Sequence, residues 1–200
     1  MNKPVLIVIA GPNGSGKTTI TKRVVKHEWA ERCEYINPDE VAQNVFGNWN
    51  DTNAIKKAID YCENRRQQCL TNHQDFIFET VLSTDEKIDF LFRAKKEGYF
   101  IRVFYVCTQT PAINAMRVAK RVMEGGHDVP IQKIISRYQK SIVNIVKVLQ
   151  FADRTYFYDN SIDNQDAQLL FRTSDGILTK QYTAPLPDWA LPIYNNTTKP

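Results

Sequence analysis

The sequence predicts an α/β fold in which a parallel sheet lies between two layers of helices, with a helical lid and a C-terminal β-hairpin. Short apolar runs typical of buried strands alternate with longer segments of helical periodicity. The predicted strands cover residues 5–10, 34–36, 76–78, 99–106 and 154–158. The predicted helices begin near residues 20, 41, 52, 85, 111 and 131, and the second of them is expected to end at Gly47. Two further short strands, near residues 168–171 and 177–182, flank a Ser-Asp-Gly turn, which indicates a hairpin.

A glycine-rich loop joins the first predicted strand to the first helix. It fits the motif G-x-x-x-x-G-K-[ST] with Gly11, Pro12, Asn13, Gly14, Ser15, Gly16, Lys17 and Thr18, followed by Thr19. Glycines let successive backbone N–H groups point at one anion, and the helix start adds its own N–H groups. Lys17 is expected to contact the β- and γ-phosphates of ATP, and the Thr18 hydroxyl to bind Mg²⁺. The pattern predicts a three-layer P-loop NTPase fold of the nucleoside-kinase type; the alternative is a glycine-rich turn that happens to carry a lysine.

Length and composition limit the possible organisation and partners. Two hundred residues suit one domain, expected over 1–184, and the proline-containing tail 185–200 is expected to be extended or loosely ordered. The net charge of +4 suits a small anionic ligand as well as it suits nucleic acid. Because the sequence has no long Lys/Arg run and no stripe of aromatic and basic residues, nucleic-acid kinase activity is an unsupported alternative, and we expect no nucleic-acid partner. No apolar run reaches the length of a membrane span and no signal peptide is visible, so a cytoplasmic protein without membrane contact is expected. The cysteines are expected to be free thiols, with Cys62 and Cys69 packed in the core.

Two carboxylates follow predicted strands. Ligands of such sheets lie beyond the carboxyl ends of the strands, so Asp39 and Glu79 should face the phosphate site. Asp39 is our candidate for the base that accepts the proton of an attacking hydroxyl; the alternative is a carboxylate at a helix N-terminus. Glu79 is a candidate for binding a substrate hydroxyl or holding magnesium through water, and the alternative is a carboxylate satisfied by backbone N–H groups. No predicted strand ends in the usual Walker B aspartate, unless Glu79 takes that place.

Basic residues follow the fourth strand. Arg117 and Arg121 are four residues apart and share a helix face, and Arg137 lies on the next helix. A loop with two glycines, residues 125–130, follows the first of these helices. Arginines on a hinged segment suit a lid that closes on ATP and neutralises transition-state charge. The alternative is a solvated basic face, and we assign no catalytic role to His127 in the loop.

These motifs together resemble those of the zeta-toxin-like kinases over about residues 4–161. The shared segments are the glycine loop, Asn37-Pro38-Asp39, Phe78-Glu79-Thr80, Arg117-Val118-Ala119-Lys120-Arg121-Val122, Gly125-Gly126-His127-Asp128-Val129-Pro130, Arg137-Tyr138 and Tyr158-Asp159-Asn160-Ser161. The segment with the two arginines and Gly-Gly-His, at its distance from the loop, is more specific than the loop alone.

The resemblance implies an ATP- and Mg²⁺-dependent kinase for the 3′-hydroxyl of the amino sugar in UDP-N-acetylglucosamine, and an antitoxin protein as a possible partner. It implies Asp39 as the base and places Glu79, with the neighbouring Thr80, at the substrate. The arginine pair 117 and 121 matches the region that supplies phosphate-binding arginines. The chain departs from the family at Val81, where well-studied members carry a threonine that contacts the nucleotide sugar, and valine cannot donate a hydrogen bond. A kinase for another metabolite or a nucleoside, and a non-catalytic ATP-dependent switch, therefore remain alternatives.

Overall fold

A seven-stranded sheet with the order β2-β3-β1-β4-β5-β6-β7 organises the protein. The structure is a computed structural model, and it describes residues 3–46, 52–126 and 128–198. The strands are β1 Val5–Ala10, β2 Glu34–Ile36, β3 Phe76–Thr80, β4 Phe100–Cys107, β5 Arg154–Asp159, β6 Gln168–Ser174 and β7 Ile177–Gln181. Strands β1 to β5 are parallel, and β6 and β7 run antiparallel beside them as the predicted hairpin. The α/β prediction is confirmed.

The strand register brings three loops to one edge of the sheet. Ala10, the last residue of β1, lies beside Thr80 at the end of β3 and beside Tyr105 near the end of β4. Parallel strands that end together deliver the segments that follow them to the same place. The glycine loop after β1, the Glu79 segment and the start of the helix after β4 therefore meet there.

Seven α-helices are described around this sheet. They are α1 Lys17–Val24, α2 Pro38–Asn44, α3 Thr52–Thr71, α4 Asp85–Lys96, α5 Pro111–Met123, α6 Ile131–Leu149 and α7 Leu191–Asn195. Helices α4 and α6 begin as predicted, but α2 begins at Pro38 instead of near residue 41. The Asn37 side chain accepts a hydrogen bond from the Asp39 backbone N–H, and Pro38 suits the first helical position because it lacks an N–H. The predicted end of α2 at Gly47 lies outside the described residues.

Apolar packing covers both faces of the sheet. Residues of α3, α4, α6 and α7 pack on one face, around Phe76, Phe78 and Phe157. Residues of α1 pack on the other face, around Ile77 and Phe104. This is the three-layer arrangement that the alternating pattern predicts. Cys62 and Cys69 are fully buried free thiols in the larger core, as predicted.

The C-terminal tail departs from its prediction. It contains α7, and Trp189, Ala190 and Ile193 are buried in the larger core. The Trp189 ring packs 5.9 Å from the ring centroid of Tyr105. The expectation of an extended or loosely ordered tail is wrong, because these apolar side chains find a site on the sheet that local composition does not reveal. The division at residue 184 stays a prediction. None of the described helices combines the length and the hydropathy that crossing a membrane requires.

Candidate active site

The glycine loop between β1 and α1 is fixed by close backbone approach. Gly11 has φ +147°, and a Cβ there would lie 2.0 Å from the Val106 carbonyl oxygen of β4. At Gly16, with φ +94°, a Cβ would lie 2.1 Å from the Asn160 side-chain nitrogen. Only glycine adopts these angles without strain and leaves this space. The two glycines therefore let the loop lie directly against its neighbours.

Two asparagines from distant segments hold the outside of this loop. The Asn160 Nδ2 atom, after β5, donates to the Ser15 carbonyl oxygen at 2.8 Å. The Asn114 Nδ2 atom, on α5, donates to the Asn13 carbonyl oxygen at 2.5 Å. These two hydrogen bonds satisfy carbonyl oxygens of the loop and fix its backbone conformation. The orientation of the loop N–H groups is fixed with it.

Lys17 is half-buried at the start of α1. Its Nζ donates to the carbonyl oxygens of Gly11 and Pro12, each at 2.9 Å. Burial lowers the pKa of Lys17 from 10.5 to about 8; Glu79 acts in the opposite direction, and Arg121 and Arg137 lower it further. The Lys17 ammonium thus lies against the carbonyl oxygens of its own loop, in surroundings that disfavour its positive charge. An anion bound beside it would stabilise that charge.

Glu79 stands at the end of β3 among hydroxyl groups. Its Oε1 atom accepts hydrogen bonds from Thr21 Oγ1 at 2.7 Å and from Tyr35 OH at 2.8 Å. Its Oε2 atom lies 3.4 Å from Thr18 Oγ1. Tyr35 in turn accepts a hydrogen bond from Asn37 Nδ2 at 2.7 Å. The contacts found for this carboxylate are therefore side-chain hydroxyls, and its Oε2 side faces the threonine of the glycine loop.

The donor set at Thr18 and Glu79 suits a hard cation such as Mg²⁺. A hydroxyl and a carboxylate oxygen stand side by side, and magnesium prefers oxygen ligands while keeping several waters. Across residues 3–46, 52–126 and 128–198, no three His, Cys, Asp or Glu side chains form a group that could hold a metal. A magnesium ion at Thr18 would accordingly take most of its ligands from phosphate and water.

Asp39 lies in the first turn of α2, across the cleft from the loop. Its side chain is exposed, and its backbone N–H is held by the Asn37 side chain at 2.9 Å. Asp39 is a carboxylate at a helix N-terminus and it also lines the cleft, and its role as the base stays a prediction.

The arginines predicted to lie on a lid contact or line other parts of the site. Arg117 donates from Nε to Asp163 Oδ1 at 2.8 Å and from NH1 to the Asn160 carbonyl oxygen at 2.8 Å. Arg121, one turn further along α5, lines the same cleft. Arg137 on α6 lies 3.3 Å from Asn13 Oδ1 of the glycine loop. These contacts argue against a purely solvated basic face, whereas His127 lies outside the described residues.

One cleft of about 430 Å³ collects most of the candidate residues. It is lined by Asn13, Gly14, Gly16, Lys17, Thr18, Asn37, Pro38, Asp39, Glu79, Thr80, Val81, Arg117, Val118 and Arg121. The other loop residues, Gly11, Pro12 and Ser15, are buried, and Thr19 is exposed on α1. A larger hollow of about 960 Å³, around Trp29 and Asp75, lies at the opposite edge of the sheet and contains none of the candidates.

Comparison with known proteins identifies the family. The profile of the family described as Zeta toxin matches residues 1–175. This chain belongs to the zeta toxin family. A protein from Haemophilus influenzae that is described only as uncharacterized is 28% identical over 135 residues, which are 66% of this chain and 91% of that protein. The resemblance drawn from the motifs is confirmed.

Several solved structures share the fold of this chain. A chain of the PezAT chromosomal toxin–antitoxin system of Streptococcus pneumoniae has a TM-score of 0.60 at 19% identity, covering 86% of this chain and 72% of that one. A chain of the AvrRxo1-ORF1:-ORF2 complex with ATP has a TM-score of 0.66 at 15% identity, covering 98% of this chain and 64% of that one. The present chain thus spans less than two thirds of the AvrRxo1 chain. At these identities the likeness shows the P-loop kinase fold.

The site also contains residues that no sequence motif points to. Thr21, Tyr35, Asn114 and Asp163 all contact predicted site residues. A signal existed for two of them: Thr21 lies four residues after Lys17 on the same helix face, and Tyr35 lies two residues before Asn37 on an extended segment. The other two meet their partners only through the tertiary fold.

Proposed function

We propose that this protein is an ATP-dependent kinase of the zeta-toxin type, which transfers the γ-phosphate of ATP to a hydroxyl group of a small molecule. The observation that carries the proposal is the single cleft in which Lys17, Thr18, Asp39, Glu79 and the two lid arginines come together. A phosphate-binding loop alone would serve a switch equally well. A carboxylate opposite the loop adds what transfer to an alcohol needs, namely a proton acceptor.

Each proposed role follows from position. The backbone N–H groups of the loop and the Lys17 ammonium bind the phosphates, with Lys17 exchanging its two carbonyl partners for phosphate oxygens. Thr18 and Glu79 would hold Mg²⁺, which supplies charge neutralisation at the phosphates when bound. The arginines at 117 and 121 neutralise charge on the transferred group.

The transfer itself is an in-line displacement. The acceptor oxygen forms a bond to the γ-phosphorus, and the bond between that phosphorus and the oxygen bridging it to the β-phosphate breaks, releasing ADP. The hydroxyl proton passes to the carboxylate of Asp39. Exposure of Asp39 in the open cleft suits this role because the acceptor must reach it from solvent.

The proposal names the phosphoryl acceptor first as a chemical class and then as a specific compound to test. A sugar hydroxyl is the proposed class, and the 3′-hydroxyl of UDP-N-acetylglucosamine is the first acceptor to test because of the family resemblance. Val81 lines the cleft where a hydroxyl side chain would assist a nucleotide sugar, so free sugars and nucleosides belong in the same test. An antitoxin protein is proposed as a partner, supported by the likeness to a chain of a toxin–antitoxin system.

The deciding experiment measures phosphoryl transfer from labelled ATP with magnesium to this acceptor panel. Asp39→Asn should lower turnover by roughly 10²- to 10⁴-fold while ATP still binds, because the amide cannot take the proton. Glu40→Gln is the matched control on the neighbouring exposed carboxylate, and Lys17→Ala is the blank. Full turnover in Asp39→Asn would remove Asp39 as the base. Tight ATP binding without transfer to any acceptor would favour the switch.

A further inference from the structure

A connected group of polar side chains lies behind the proposed metal side of the cleft. Tyr35 and Thr21 both donate to the Oε1 atom of Glu79, at 2.8 and 2.7 Å. Two strong donors at this distance occupy that oxygen. The other oxygen, Oε2, is 3.4 Å from the Thr18 hydroxyl, which is a weak contact. The two carboxylate oxygens therefore differ: Oε1 is held by two hydrogen bonds, and Oε2 faces the cleft.

Tyr35 is itself oriented by Asn37. The Asn37 Nδ2 atom donates to the Tyr35 hydroxyl oxygen at 2.7 Å, so the hydroxyl proton points at Glu79. Burial and the nearby Glu79 raise the pKa of Tyr35, which keeps this proton in place. The Asn37 Oδ1 atom accepts from the Asp39 backbone N–H at 2.9 Å. One chain of hydrogen bonds thus connects the helix turn that carries Asp39 to the carboxylate of Glu79.

We propose that Tyr35 is a positioning residue for Glu79: its hydroxyl anchors Oε1 so that Oε2 stays turned toward Thr18, where a magnesium–nucleotide complex would be held. The inference rests on the proposed function, since it assigns Tyr35 a task within that site. Tyr35 is half-buried and does not line the cleft, so it acts through Glu79 and does not touch the nucleotide.

Removing the Tyr35 hydroxyl has a specific consequence. Tyr35→Phe keeps the ring and removes one of the two donors on Oε1, and the Asn37 amide loses its acceptor. A hydrogen bond to a charged group is among the stronger ones, so its loss frees Glu79 to rotate. Binding of nucleotide that depends on magnesium should suffer, whereas binding that depends on the glycine loop and Lys17 should not.

The test compares nucleotide affinity with and without magnesium. Calorimetry measures binding of a non-hydrolysable ATP analogue in magnesium buffer and in EDTA for the wild type, Tyr35→Phe and Tyr156→Phe. Tyr156 is the matched control: a half-buried tyrosine of β5, its ring stacked on Phe104 with centroids 5.0 Å apart. We expect the magnesium enhancement to fall about tenfold in Tyr35→Phe alone, with affinity in EDTA unchanged. An unchanged enhancement, or an equal loss in both buffers, would overturn the inference.

A second arm covers a Tyr35→Phe protein that folds poorly. Glu79→Ala removes the acceptor of the Tyr35 hydroxyl and should lose at least as much of the enhancement. Tyr35→Phe added to Glu79→Ala should then cost nothing more, because the two residues act as one unit. Additive losses would mean that Tyr35 acts elsewhere. A wild type that binds no nucleotide in either buffer would instead overturn the proposed function, and this inference with it.

Discussion

Lys17 shows how a single residue is prepared for a ligand. Its Nζ is held by two carbonyl oxygens of its own loop, in a half-buried place with Arg121 and Arg137 nearby. Burial lowers the pKa of Lys17 to about 8. Carbonyl dipoles satisfy its hydrogen bonds but only partly replace water around the charge. A phosphate would supply the missing negative charge, and this difference is measurable.

The prediction for Lys17 concerns pH. Between about 8 and 10.5 the unfolded chain keeps a proton on Lys17 that the folded chain lacks, so the contribution of this residue to stability rises with pH across that window. Bound phosphates should raise the pKa again. ATP should therefore bind with uptake of a fraction of a proton near pH 9, and its affinity should fall as pH rises above about 8.

Calorimetry in two buffers of different ionisation enthalpy measures this proton uptake directly. Lys22→Met is the matched control, because Lys22 is an exposed lysine on the same helix and its loss should leave the uptake unchanged. ATP binding near pH 9 without proton uptake in the wild type would contradict the assignment.

At the scale of elements, the glycine loop depends on segments far from it in sequence. Asn160, the residue directly after β5, donates a hydrogen bond to the loop, and Asp163 in the same segment accepts one from Arg117 of α5. One connection between β5 and β6 therefore fixes both the loop and a lid arginine. A change in this connection should therefore alter the proposed phosphate site both through the loop and through Arg117.

The prediction for this connection uses Asp163→Ala. Asp163 is 69% exposed, and exposed ion pairs contribute under about 1 kcal/mol, so the free energy of unfolding should change little. Arg117 keeps its hydrogen bond to the Asn160 carbonyl oxygen but loses its contacts with Asp163, so kcat/KM for ATP should fall by roughly three- to tenfold. Asp166→Ala is the matched control, since Asp166 belongs to the same segment but pairs with Arg23 of α1. Equal kinetics in the two variants would show that Asp163 does not position Arg117.

At the scale of the whole molecule, the sequence predicted what is local or periodic. The glycine loop is eight adjacent residues, and the strand ends place Asp39 and Glu79 by a general property of parallel sheets. Contacts such as Asn114 with Asn13, or Arg117 with Asp163, join residues 101 and 46 positions apart. No periodicity encodes such pairs. These contacts form only when the strands have taken their order in the sheet. For this reason Asn114 and Asp163 could not be predicted as site residues.

The tail is the strongest case of such long-range dependence. Its prolines predicted an extended segment, yet the Trp189 indole N–H donates to Asp159 Oδ2 at 2.7 Å. The same carboxylate accepts from the hydroxyl and the backbone N–H of Ser161, at 2.9 and 3.0 Å. Asn160, which holds the glycine loop, lies between these two residues. The tail thus stabilises residues 159–161, the segment whose Asn160 side chain donates a hydrogen bond to the glycine loop.

Substitution of Trp189 tests whether the tail belongs to the cooperative fold. Trp189→Phe keeps an aromatic ring against Tyr105 and removes the donor to Asp159, which should cost about 1.5–3 kcal/mol of unfolding free energy. Trp189→Ala also leaves a cavity and should cost about 3–5 kcal/mol. Urea unfolding measures both values. A loosely attached tail would leave both variants within about 0.5 kcal/mol of the wild type, as for surface substitutions. The graded loss is expected because Trp189 is only 5% exposed and contributes both a hydrogen bond and a large apolar surface.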